Sequence, residues 1–122
     1  MSWEVILVEE VDAWFLNLAE TDPDSAEQVE AAINVLEREG PTLGVPLVKR
    51  IENSNYHHMK ELRPGSAGST EVRILFAFDP VRRAVLLVAG NKAGSWNRWY
   101  DENIPIADAR YKAHLDEMEG QR

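Results

Sequence analysis

The chain has 122 residues, which is room for one domain and one hydrophobic core, and no cysteine, which excludes disulfide frameworks and thiolate metal sites. An apolar fraction of 44% in regular patterns excludes a disordered chain. The net charge of −8 argues against a polyanionic partner, but its distribution argues the other way: residues 1–40 carry −10, residues 41–100 carry +5 and the last 22 residues carry −3.

Residues 3–8 read as a first strand. A helix follows, with Val11, Trp14, Phe15 and Leu18 at one-face spacing. Thr21-Asp22-Pro23 ends it and opens the next, with Asp22 as N-cap and Pro23 at the first helical position. Val29, Ala32, Ile33 and Leu36 form the buried stripe of this second helix, which Gly40-Pro41 stops. The acidic third of the chain is therefore a strand and an antiparallel helix pair, with its acids on solvated faces.

Thr42 to Asn55 reads as a loop bearing Lys49 and Arg50, and strands resume at about Tyr56–Arg63. Residues 64–69, Pro-Gly-Ser-Ala-Gly-Ser, read as a flexible connection. Glu71 to Asp79 is the clearest strand, because Val72, Ile74, Phe76 and Phe78 alternate with Glu71, Arg73, Leu75 and Ala77. One face is expected on the helices and the other to carry Arg73. A hairpin turn, Asp79 to Arg83, leads to Ala84–Ala89, a continuous apolar run suited to a central strand. The last helix is expected from about Asn103, with Ile104, Ala107, Tyr111, Leu115 and Met118 on one side. The order β-α-α-β-β-β-α implies an α+β domain spanning 1–122, with a mostly antiparallel sheet and helices on one face. The longest apolar run is far too short for a bilayer and the N-terminus lacks the form of a signal peptide, so a cytoplasmic protein without membrane contact is expected.

Six features are candidates for chemistry. His57 and His58 are either acid–base groups or surface histidines; as neighbours on a strand they point to opposite faces, and His114 lies in the last helix, so no metal site is expected. In Lys60-Glu61-Leu62-Arg63, an inward Leu62 sends Glu61 and Arg63 to the other face, where Arg63 either holds a phosphate or pairs with Glu61. Arg73, in the middle of the best strand, is either a solvated side chain or a bidentate phosphate clamp. Arg82 and Arg83 in the hairpin turn attract anions at long range. Lys92 follows a buried strand within Gly-Asn-Lys-Ala-Gly, where neighbouring cations would lower its pKa and ready it for proton transfer. Trp96, Trp99 and Tyr100 suit packing of the last segment onto the sheet, or stacking of single-stranded RNA bases.

Taken together, the segments YHHMKELRPGSAGSTEVRILFAFD, AVLLVAGNKAG and IADARY resemble the RelE/ParE toxin superfamily, in its HigB-like branch related to the phage Gp49 family. The resemblance covers nearly the whole chain. It implies a toxin of a type II toxin–antitoxin pair that cleaves mRNA on the ribosome without metal or other cofactor, by attack of the RNA 2′-hydroxyl on its own phosphate. By resemblance, Arg63 and Arg73 hold the scissile phosphate, Lys92 stabilises charge or moves a proton, and Lys60 binds the backbone. His57 or His58 is the expected base, and Tyr100 stands where some members carry a catalytic histidine or tyrosine. His57, Lys60, Arg82, Trp96 and Trp99 are the expected RNA contacts. The implied partners are mRNA, the ribosome and a helix-turn-helix antitoxin. Two other readings fit the same fold: a ParE-like gyrase poison, and a non-catalytic module that binds RNA or protein.

Overall fold

The computed structural model describes residues 2–65 and 68–120. In chain order the elements are β1 (Val5–Leu7), α1 (Glu9–Thr21), α2 (Pro23–Glu39), a 3₁₀ turn (Gly40–Thr42), β2 (Val48–Arg50), β3 (Lys60–Leu62), β4 (Val72–Phe78), β5 (Ala84–Asn91) and α3 (Asn97–Gly120). The five strands form one sheet in the order β1-β5-β4-β3-β2, antiparallel except where β1 runs parallel to β5. This is the expected α+β domain with one more strand, β2, inside the predicted loop. β2 is too short to announce itself by alternation, and its pairing with β3 (Val48 opposite Leu62) makes it a strand. Of the predicted 64–69 connection, Ser66 and Ala67 lie outside the described residues.

The helix pair forms as its sequence dictates. The Asp22 side chain accepts from the Ser25 amide at 3.3 Å and Pro23 opens α2, satisfying an otherwise orphaned donor. Val29, Ala32 and Leu36 are buried by α2, and Val11 by α1. Gly40 ends α2 with φ of 62°, and its missing side chain leaves room for the Trp3 indole, which a Cβ would meet at 2.3 Å.

One expectation is overturned: the helices lie on both faces of the sheet. Val72, Ile74 and Phe76 of β4 join Leu62, Leu86 and the α1–α2 stripes in one core. Leu75 and Ala77, with Val85, Leu87 and Val88 of β5, form a second core beneath Ile104, Ala107 and Tyr111 of α3. The Arg73 face of β4 is therefore an interior rather than a solvated surface. Sandwiched burial explains why β5 is a continuous apolar run. A bulge helps: the register slips between Leu75, opposite Val88, and Phe76, opposite Leu86, leaving Leu87 as the extra residue. Leu87 and Val88 consequently both serve the α3 core.

The last helix also starts earlier than expected, at Asn97 rather than near Asn103, and carries Pro105 within it. Proline suits a helix's first turn, which is why the sequence suggests a later start. Packing decides otherwise: Trp99, in the first turn, lies over Gly90, whose added Cβ would meet Trp99 Nε1 at 2.8 Å.

The β4–β5 turn is closed by Asp79, whose carboxylate accepts from the amides of Val81 and Arg83, from Arg83 Nε at 2.9 Å and from His114 Nε2 at 2.9 Å. Burial would raise the Asp79 pKa, but the hydrogen bonds from His114 and Arg83 outweigh it and hold the group below its ordinary 3.8. A depressed carboxylate contributes stability that is complete above the ordinary pKa and lost as pH falls through the folded value. Asp79→Asn is expected to lower stability by about 1–3 kcal/mol at neutral pH, and to flatten the loss of stability below about pH 4, both readable from urea midpoints across pH.

Candidate functional site

Strand direction decides which candidates meet. β3 and β4 are antiparallel, with Lys60 opposite Phe76 and Leu62 opposite Ile74; β4 and β5 are antiparallel, with Arg73 opposite Gly90. The C-terminal end of β3, the start of β4 and the end of β5 therefore share one edge of the sheet. Arg63, Arg73 and Lys92 converge there, as the sequence suggests.

Arg73 and Lys92 are buried, with 9% and 7% of their surface exposed, so both charges are held by the fold rather than by solvent. Arg73 Nη1 donates to the Val72 carbonyl at 2.9 Å, while its Nε, also buried, has no partner among the described residues. An unsatisfied buried donor costs about 1–3 kcal/mol. Lys92 is fixed through its backbone. Its amide donates to the Glu71 carbonyl at 3.0 Å, and its own carbonyl accepts from the amides of Ser95 and Trp96. The Lys92 ammonium lies 3.7 Å from a Glu71 carboxylate oxygen, 4.5 Å from the centre of the Trp96 ring and 5.5 Å from that of Tyr100. Lys92 thus sits among a carboxylate and two π-faces, not among cations alone.

Glu61 is the member of the cluster that the sequence reading leaves as a mere ion-pair partner. It is 4% exposed, accepts from the Tyr100 hydroxyl at 2.7 Å and lies 3.7 Å from Arg63 Nε. Alternation put Glu61 on the face opposite Leu62, but only the arrival of α3 on that face buries it. Burial, the hydrogen bond to Glu61 and the Glu61 charge push the Tyr100 phenol up to about 12, against an opposing effect of Arg73. Tyr100 is therefore neutral at physiological pH and acts as a hydrogen-bond donor, not as a base.

Two cavities open on this edge and share Arg63 and Lys92 as a common wall. One, of about 480 Å³, is lined by Arg63, Arg73, Lys92, Glu71 and Trp96. The other, of about 680 Å³, extends past Glu61 and Tyr100 towards Lys49 and Arg50 of β2. Trp96 stands at the rim, 59% exposed, with its backbone in the left-handed region at φ of 43°.

The remaining candidates lie elsewhere. His57 and His58 occupy the turn before β3, at the opposite end of the sheet. The Tyr111 hydroxyl donates to the Phe78 carbonyl at 2.8 Å, so it accepts from His58 Nε2 at 3.2 Å. Phe78 is five residues along β4 from Arg73, about 16 Å. Burial, then the charges of His57 and Lys60, lower the His58 pKa. The expected role of either histidine as base beside the arginines does not fit this placement, because residues preceding β3 lie across from the end of β4. Lys60 also faces away: its ammonium is 3.4 Å from the Pro41 carbonyl and 5.7 Å from the centre of the Phe78 ring. Arg82 is in the hairpin turn over the Trp3 ring. Trp99 is 8% exposed and packed on Gly90, so it has no face free for stacking; of the two tryptophans, Trp96 alone does.

The Tyr100 assignment is open to a direct titration. The absorbance of tyrosinate should show a step near pH 12 that is missing in Tyr100→Phe. In Glu61→Gln the step should move towards 10, since the lost charge no longer opposes phenolate formation.

A family model described as phage derived protein Gp49-like matches residues 16–112. Two relatives from Mycobacterium tuberculosis (strain ATCC 25618 / H37Rv) bear the names "Putative toxin HigB2" and "Putative toxin HigB3". The first is 55% identical over 112 residues, covering 92% of this chain and 54% of the relative. The second is 52% identical over 116 residues, covering 95% of this chain and 96% of the relative. The chain therefore spans about half the length of one relative and almost all of the other. No solved structure matches it. Among the described residues no helix is long and apolar enough to cross a membrane.

Proposed function

The chain belongs to the phage-derived Gp49-like family, and from that premise we propose that it is the HigB-like toxin of a toxin–antitoxin pair, an endoribonuclease that cuts mRNA during translation. The observation that carries the reading is the cluster of Arg63, Arg73 and Lys92 at one sheet edge, with a buried Arg73 Nε lacking a partner. Three cations around a single cavity suit a phosphodiester, and a guanidinium held within the fold is already oriented for bidentate contact.

RNA supplies its own nucleophile. The bond from the 2′-oxygen to phosphorus forms, the bond from phosphorus to the 5′-oxygen breaks, and the products carry a 2′,3′-cyclic phosphate and a 5′-hydroxyl. The 2′ proton passes to a base and the departing 5′-oxygen receives a proton. Arg63 and Arg73 hold the phosphate and stabilise the extra negative charge of its five-coordinate state. Glu61, the carboxylate set between Arg63 and Tyr100, takes the 2′ proton, and Tyr100 holds it in place through the 2.7 Å hydrogen bond. Lys92, at the wall shared by both cavities, delivers a proton to the 5′-oxygen. The protein partner of such a toxin is its cognate antitoxin, which neutralises it by covering or distorting this edge.

Lys92→Ala and Arg73→Lys are each expected to reduce mRNA cleavage on translating ribosomes about 10²–10³-fold and to relieve growth arrest, with far-UV circular dichroism unchanged. Arg73→Lys keeps the charge and loses the planar fork, so it separates orientation from attraction. Full cleavage by both variants would remove the assignment. Intact mRNA with accumulating DNA breaks on expression of the unaltered protein would replace it with the gyrase-poison reading.

A further inference from the structure

The smaller of the two cavities holds a carboxylate as well as its cations. Glu71 lines it beside Arg63, Arg73 and Lys92, and Glu71 Oε2 lies 3.7 Å from the Lys92 ammonium. Glu71 immediately precedes β4, and strand alternation sends its side chain to the side of Arg73. Two backbone contacts fix where that side chain begins. The Glu71 amide donates to Asn91 Oδ1 at 2.9 Å, and the Glu71 carbonyl accepts from the Lys92 amide at 3.0 Å. Asn91 Oδ1 also accepts from the Ala93 amide at 3.0 Å, so one side chain ties Glu71 to the segment that carries Lys92. These anchors run through the Glu71 backbone, so its carboxylate can be changed without removing them.

The carboxylate alters the charge that an arriving anion meets. Glu71 opposes Lys92, and Glu61, 3.7 Å from Arg63 Nε, opposes Arg63. Of the three cations, one positive charge is therefore left over. A single negative charge neutralises it, and a phosphodiester within an RNA chain carries one. A phosphate monoester carries about 1.5 to 2 negative charges at neutral pH, because its second pKa is about 6. Its extra charge would face the Glu71 carboxylate, and like charges set against one another at a binding site repel.

We propose that Glu71 sets the specificity of this cavity, admitting the single charge of a phosphodiester and rejecting the double charge of a phosphate monoester. The inference deepens the endoribonuclease reading and rests on it for its biological meaning. An internal linkage of RNA fits the site, whereas a phosphorylated chain end, a free nucleotide or inorganic phosphate does not compete for it. The same three cations without Glu71 would favour the monoester, since Coulomb attraction grows with the charge of the ligand. The Glu71 side chain is 35% exposed, so solvent screens part of the repulsion, and a discrimination of about tenfold is expected.

The test compares two ligands that differ by one charge: 2′-deoxyadenosine 3′-monophosphate and its methyl ester. Neither has the 2′-hydroxyl that cleavage needs, and both carry the same base. Each is titrated into the isotope-labelled full chain at about pH 7.5, where the monoester is doubly charged, with the Arg73 Nε–H signal as reporter. The unaltered protein should bind the methyl ester about tenfold more tightly than the monoester. Glu71→Gln should bring that ratio to about one or reverse it, while Glu71→Asp, which keeps the charge, should retain most of the preference. Equal or tighter binding of the monoester by the unaltered protein would overturn the proposal and leave the phosphate site standing. A ratio that Glu71→Gln leaves in place would do the same. The expected ratios in a protein that cuts no RNA would support the proposal and sink the endoribonuclease reading alone. An Arg73 signal that moves with neither ligand would overturn both.

Discussion

The constraint on which the structure depends is that its two central strands are covered on both faces. Helices α1 and α2 bury one side of β4 and β5, and α3 buries the other, so side chains of either parity go into an interior. Removing any large member is costly; truncating the fully buried Phe76 to Ala would cost about 3–5 kcal/mol. The same sandwich acts on the polar residues at the strand ends. Arg73, Glu61 and Lys92 would be ordinary surface charges on a sheet with one bare face. Under α3 they become desolvated charges held by protein partners, Glu61 by Tyr100 and Arg63, Lys92 by Glu71 and Arg73 by the Val72 carbonyl, with the Arg73 Nε left over.

That arrangement links stability to function. Charges moved out of water interact more strongly and keep fixed positions, as the endoribonuclease proposed above would need. The turn from Lys92 into α3 is tight: the Lys92 carbonyl accepts from two successive amides, and Trp99 then seats on Gly90. The segment that buries the second face is thus the one that aims Lys92 and brings Tyr100 to Glu61. The acidic helix pair packs on the face of the sheet opposite α3.

Much of this was legible in the residues. Alternation from Val72 to Phe78, the apolar run after Ala84, and the Asp22-Pro23 cap state their elements locally, and antiparallel hairpin logic brings Arg63, Arg73 and Lys92 to one edge. What the sequence concealed depends on tertiary contacts. β2 is a strand because Val48 pairs with Leu62, and three residues are too few for a period to show. The early start of α3 is set by Trp99 meeting a glycine, a long-range fit invisible in local propensity. The histidines were drawn to the site by their closeness to Lys60 in sequence. Strand direction takes them to the other end, a consequence available from the hairpin order itself. Glu61 was in view as a partner for Arg63, but its link to Tyr100 requires knowing that α3 crosses that face.

The central claim is that the sheet edge around Arg73 is built to receive a phosphate. It is tested most directly by following the Arg73 Nε–H resonance while adenosine 2′,3′-cyclic phosphate is added to the labelled protein. The account predicts a saturable shift of Arg73 Nε–H together with Arg63, weakened by added salt and abolished by Lys92→Ala. An Arg73 resonance that stays in place while the nucleotide binds elsewhere, or does not bind at all, would contradict it.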